Sequence, residues 1–144
     1  MNKNKYFCSQ QINYLNMYDD FYRFLISQMD DFTIKSKSEN TIAFEYKKLN
    51  YLFVYYEDDP YYIRLILPNV VNENDFNNGN LIDIVNNYNA TYKAVKSTIV
   101  DNNLWFSIEH FIYSKENINV LFLRIITILE TVISKFRTDY LQTK

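Results

Sequence analysis

One glycine, Gly79, serves the whole chain of 144 residues, and that scarcity limits the possible folds more than any other feature. Glycine reaches positive φ without steric cost and lets a backbone approach a ligand closely. Phosphate-cradling loops of the GxGxxG or GxxxxGKS/T kind need several glycines. This chain cannot build them, which excludes the nucleotide-dependent chemistry that rests on such loops. Proline is also rare, at Pro60 and Pro68 only, so tight turns fall to Asn and Asp, whose short polar side chains suit them.

The length fits one domain, 1–144, with no linker, charge block or repeat to divide it. An apolar fraction of 48% supports a real core, and the aromatic share is high at 18%, from 14 Tyr, 11 Phe and one Trp. Fifteen Lys and Arg against seventeen Asp and Glu leave a net charge of -2, so neither nucleic acid nor an anionic membrane is an expected partner. A single cysteine, Cys8, excludes an internal disulfide framework, and a single histidine, His110, leaves too few ligands for an ordinary zinc site. No cofactor, metal or catalytic residue is expected. No apolar run reaches membrane-spanning length and no apolar segment follows Lys3 and Lys5, so the expectation is a cytoplasmic protein. The Asn- and Lys-rich, Ala-poor usage matches an AT-rich bacterial genome.

Periodicity along the chain gives an α+β domain in the order α-β-β-β-β-α-β-β-α. Tyr14, Tyr18, Phe21, Tyr22, Leu25 and Met29 recur at helical steps and predict an amphipathic helix over Ser9 to Met29, capped by Ser9 or Asn13. From Asp31 the period becomes two, giving strands at Phe32 to Ser36, Thr41 to Lys47, Tyr51 to Glu57 and Tyr61 to Leu67. Asp58-Asp59-Pro60 turns the last pair and Pro68 ends the meander. Leu81, Ile82, Val85 and Tyr88 predict a short helix that could start as early as Asn74, with Asn89 as a left-handed C-terminal residue. Asn117 to Tyr140 predicts a long helix whose apolar arc, widened by Val120, Leu123, Ile126 and Ile128, exceeds one sheet-facing stripe.

Tyr92 to Val100 and Leu104 to Tyr113 flank Asp101-Asn102-Asn103 and predict a hairpin. Pairing Val100 with Asn103 or with Trp105 gives the same faces, because side chains alternate with a period of two. Val95, Ser97 and Ile99 then join Leu104, Phe106 and Ile108 toward the core. Lys96, Thr98 and Val100 join Trp105, Ser107, Glu109 and Phe111 on an amphipathic second face. That face is either a contact surface or an internal one covered by further helices.

The chemistry-bearing residues favour plain structural roles. Glu109 and His110 are adjacent on a strand and point to opposite faces, so they cannot serve one substrate, and parity puts His110 toward the core. Cys8 has no partner base near it in sequence. Asp19-Asp20, Glu57-Asp58-Asp59 and Asp75 fall at helix-surface or turn positions where carboxylates are solvated. Asn89-Ala90-Thr91 fits the glycosylation acceptor pattern by chance. Tyr46, Tyr51, Tyr55 and Tyr56 could stack bases, but the basic groove such a platform needs is missing, since Lys47, Lys48 and Arg64 are scattered among acids.

The element order, together with Tyr62-Ile63-Arg64-Leu65-Ile66-Leu67-Pro68-Asn69 and the stretch Tyr92 to Ile112 that contains Ile99 to Glu109, resembles the YbjN family and the type III secretion chaperone-like fold. The resemblance covers most of the chain and implies an α+β domain that often pairs with itself and holds a protein or peptide partner. It offers no chemical motif, so no functional residue transfers. The resulting expectation is a non-enzymatic, chaperone-like interaction module that forms a homodimer and contacts a partner through Trp105, Phe111, Lys96 and Glu109. Two alternatives stand beside it: a small enzyme using carboxylate, Tyr and Arg side chains near Arg64, and a regulatory or immunity-type partner of one specific protein.

Overall fold

Asn16 starts the first helix by accepting the Asp19 N–H on its side-chain oxygen at 3.2 Å, which satisfies one of the donors that a helix start leaves free. In the computed structural model, which describes residues 16–28 and 30–142, this helix α1 spans Met17–Ser27. Ser9 and Asn13, the expected caps, lie outside the described residues, as do Cys8, Tyr14 and Met29. Met17, Tyr18, Phe21, Phe24 and Leu25 form its buried face.

Strands β1 (Phe32–Lys37), β2 (Thr41–Tyr46), β3 (Leu49–Tyr55) and β4 (Tyr62–Leu67) follow as an antiparallel meander. The β2–β3 turn is tighter than the sequence suggests. Lys47 and Lys48 take φ of 48° and 64°, the signature of a two-residue primed turn, so Tyr46 faces Leu49 directly. Helix α2 covers Leu81–Thr91 and begins at Asn80, whose side chain accepts from Ile82 and Asp83 N–H. Asn74 belongs to a separate 3₁₀ turn, Glu73–Asp75. Asn89 is not the left-handed terminus. It sits inside α2, and Ala94, with φ of 67°, takes the left-handed conformation beyond the helix end.

β5 (Val95–Val100) and β6 (Asn103–Phe111) form the expected hairpin, with Asp101 and Asn102 at φ of 49° and 64° and Val100 opposite Asn103. Helix α3, Ile118–Phe136, runs into a π-helical turn, Arg137–Leu141. The six strands make one sheet in the order β1-β2-β3-β4-β6-β5, antiparallel throughout. The α+β class and the element order are as the sequence indicates.

All three helices among the described residues lie on one face of this sheet. Register places Phe44, Phe53, Leu65, Ile108 and Val95 on a common side, with Phe106 and Ser97 among them. Phe21 of α1 packs against Phe44 and Phe53 with ring centroids 5.4 and 4.0 Å away, and against Phe122 of α3 at 5.0 Å. Phe106 of β6 meets Phe136 of α3 at 5.6 Å and Tyr88 of α2 at 6.0 Å. Burying this aromatic set against the sheet contributes to folding at about 1.5–3 kcal/mol per large side chain.

Both sheet edges are closed against further strands. At β5, Ser97 lies at a non-hydrogen-bonded position of the hairpin, so its backbone groups point outward. The Asn89 side chain meets both: its Nδ2 donates to Ser97 O at 3.0 Å and its Oδ1 accepts from Ser97 N at 2.7 Å. An amide side chain thus stands where a seventh strand would pair. It also engages the nitrogen that glycosylation would take. At β1, register shifts between Ile34 and Ser36, and this bulge with Lys35 and Lys37 disrupts the other edge.

Candidate interaction face

With every helix on one side, the opposite side of the sheet has no covering layer among the described residues. Two cross-strand rows define it. One runs Ala43, Leu52, Ile66, Ser107, Lys96, and the next runs Thr41, Val54, Arg64, Glu109. Ile66 and Ser107 are buried, whereas Leu52, Val54, Tyr62 and Trp105 are half-buried and Phe111 is 54% exposed. Trp105, Phe111, Lys96 and Glu109, which the sequence placed on one amphipathic face, are together on this open side. Ser107, expected on the same face, is there too but buried.

Charge occupies the centre of the face. Glu109 Oε1 lies 3.7 Å from Arg64 Nε and 3.4 Å from Lys96 Nζ, and Tyr62 donates a hydrogen bond to the same carboxylate. Burial first, and then the Glu109 charge and hydrogen bond, push the Tyr62 hydroxyl up to about 12, so it remains a donor at neutral pH. Pairs this exposed contribute only about 0–1 kcal/mol of stability. Their larger effect is to fix an alternation of positive, negative and positive groups in the middle of an apolar field. Arg64 Nε and Ser107 Oγ are buried without a hydrogen-bond partner among the described residues.

Aromatic rings gather at one end of the face. Tyr62 lies across from Phe111 at 5.5 Å, Tyr56 packs on Tyr62 at 5.2 Å, and Phe111 stacks with Tyr113 at 6.5 Å. Phe111 and Tyr113 are the most open of these, at 54% and 72% exposure. At the other end the Trp105 indole donates to Asn69 Oδ1 at 3.1 Å. That bond ties the ring to the β4 exit, where Asn69 has a left-handed φ of 54°.

The remaining candidates are dispersed. His110 was expected toward the core. It is exposed: β5 begins at Val95, opposite Ile108, so no β5 residue stands across from His110, and its Nδ1 lies 2.7 Å from Phe111 O. Asp20 is paired with Arg23 at 3.6 Å and Lys115 at 3.2 Å, while Glu57, Asp58 and Asp59 are exposed in the β3–β4 turn. Tyr46, Tyr51 and Tyr55 are on the helix-covered face, where Tyr51 is fully buried and stacks on Phe44 at 5.4 Å. Desolvation raises the Tyr51 pKa further than that of Tyr62. Arg64 points to the opposite side, so the arginine and these tyrosines do not converge on one pocket. Among the described residues no group of His, Cys, Asp and Glu is placed to hold a metal.

Tyr56 entered the sequence reading only as part of a base-stacking platform, and the corner it forms with Tyr62, Phe111 and Tyr113 was not among the sequence candidates. Its signal was available in the strand parity that pairs Tyr62 with Phe111, but that pairing joins strands more than forty residues apart in sequence. The fold and this face define a two-layer α+β protein with one side of its sheet open. Comparison with family models, with curated proteins and with solved structures found no match.

Proposed function

We propose that the chain is a non-enzymatic, chaperone-like interaction module of the bacterial cytoplasm that binds a protein or peptide partner across the open sheet face and self-associates. The observation that carries this reading is the contrast between an open, aromatic-rich face and two closed edges. Apolar side chains from four neighbouring strands, β3, β4, β6 and β5, share that face with a central Arg64–Glu109–Lys96 cluster. Exposed aromatic groups around a few fixed charges are the composition of binding surfaces. Strand addition at an edge is disfavoured by the Asn89 clamp and the β1 bulge, so the partner lies across the face. The resemblance to the YbjN family and secretion chaperones supports the same reading. No described helix is long and apolar enough to cross a membrane, in keeping with a partner met in solution.

The test is to replace Trp105 or Phe111 by Glu and compare partner capture with melting temperature. Capture falls for both if these rings are contact residues, and Phe111→Glu carries the stability comparison: its melting changes little, since exposed substitutions usually stay within about 0.5 kcal/mol, whereas Trp105 is half-buried and bonded to Asn69. A matching loss of thermal stability in Phe111→Glu identifies a core residue and removes the proposal.

A further inference from the structure

Where the sheet meets the end of α3, a second feature stands apart from the open face. The β2–β3 turn, the β4 exit and the π-helical turn enclose an open cavity of about 640 Å³. Leu67, Val70, Ile133 and Leu141 form its apolar side, while Lys48, Arg137, Asn50, Asn69, Thr138 and Gln142 supply the polar lining. Among the described residues no carboxylate lines it. The two nearest acids of α3 and its π turn are already engaged, Glu130 by Lys47 at 3.8 Å and Asp139 by Lys135 at 2.7 Å. Lys48 and Arg137 have no ion pair among the described residues. In a chain of net charge -2, two cations left uncompensated at one amide-lined cavity make a local field that favours anions.

We propose that this cavity binds a small phosphorylated anion. A planar guanidinium can hold two oxygens of one phosphate, a lysine adds a point charge, and side-chain amides and a hydroxyl satisfy the remaining oxygens. The volume is that of a small-molecule site. Two local features place the groups. Lys48 is projected by the positive φ of the primed turn, and the π turn carries Arg137, Thr138 and Leu141 on one side of the cavity. Asn69 connects the cavity to the single tryptophan, because its Oδ1 already accepts the Trp105 indole N–H. A ligand that draws on the Asn69 amide therefore changes the surroundings of Trp105.

Pyrophosphate is the probe, titrated into the full chain near neutral pH by calorimetry and by tryptophan emission, with sodium chloride at equal ionic strength as control. Saturable binding, a Trp105 response with the same midpoint, and no effect of chloride are expected. Arg137→Gln and Lys48→Asn should each weaken binding about tenfold or more, the effect of losing a charge-assisted hydrogen bond. Asn tolerates the left-handed φ at position 48, and both side chains are exposed, so the variants fold. Absence of saturable binding, binding unaffected by both substitutions, or binding without a Trp105 response overturns the site. The partner-capture result with the Phe111 variant is independent of this outcome.

Discussion

Replacing Asn89 by Ala tests whether a single side chain closes the β5 edge. The substitution removes the donor to Ser97 O at 3.0 Å and the acceptor for Ser97 N at 2.7 Å, together with an acceptor for the Ser97 hydroxyl at 2.9 Å. The hydroxyl keeps an alternative at Val85 O, 3.1 Å away. Two backbone groups of a residue only 2% exposed are then left without partners. Each such group costs about 1–3 kcal/mol. Asn89 itself is exposed, so water can reach part of the vacated space, and the expected loss is about 2–3 kcal/mol in urea unfolding. Asn89→Asp sharpens the test. It keeps the acceptor but sets a carboxylate against the Ser97 carbonyl, so it should also be destabilising at neutral pH. Because the native site favours the protonated acid, which can donate, the deficit should shrink as pH falls through the carboxylate range. Ser97→Ala, which loses only the hydroxyl, should cost about 0.5–1.5 kcal/mol. A loss below about 0.5 kcal/mol for Asn89→Ala, or no pH dependence for Asn89→Asp, would show that water replaces the clamp and that the edge is not sealed by it.

Two further outcomes follow, one from each face of the sheet. Phe21 is fully buried and joins α1, the sheet and α3, so Phe21→Ala should lower stability by about 3–5 kcal/mol in the same unfolding assay; a loss near that of an exposed residue would contradict the packing. Tyr62 ionises at about 12 in the folded chain against about 10 when unfolded. Its contribution is therefore complete below pH of about 10 and is lost as pH rises through the folded value. Tyrosinate absorbance during alkaline titration should show a delayed fraction that Glu109→Gln advances, and titration of all tyrosines at the ordinary value would refute the Tyr62–Glu109 contact.

How much was legible in the sequence depended on the range of the interactions involved. The β5–β6 hairpin and its two faces could be read because two-residue turns and period-two alternation are local, and the structure selects Val100 opposite Asn103. Trp105, Phe111, Lys96 and Glu109 were grouped by the same parity. The Lys47–Lys48 turn escaped, since lysine is not a residue whose chemistry marks positive φ. Asn89 was misassigned because its local spelling suits a helix terminus, whereas its partner, Ser97, is eight residues on, across the chain reversal. His110 followed the parity of its strand, but β5 begins only at Val95, opposite Ile108, and where that neighbour begins is set by tertiary pairing. Which sheet face lay open was equally hidden. It depends on all three helices choosing the same side, through ring contacts such as Phe21 with Phe122 and Phe106 with Phe136.

The most direct measurement compares two single charges placed on two different exposed apolar surfaces. Phe111 marks the open sheet face at 54% exposure, and Val120 marks the outer side of α3 at 68%. Sedimentation of the purified chain is measured over a range of concentration for the unaltered protein, Phe111→Glu and Val120→Glu. If self-association uses the sheet face, Phe111→Glu sediments as a monomer where the unaltered chain and Val120→Glu form the larger species. Dissociation by Val120→Glu with Phe111→Glu unaffected, or a monomer in all three, would contradict it.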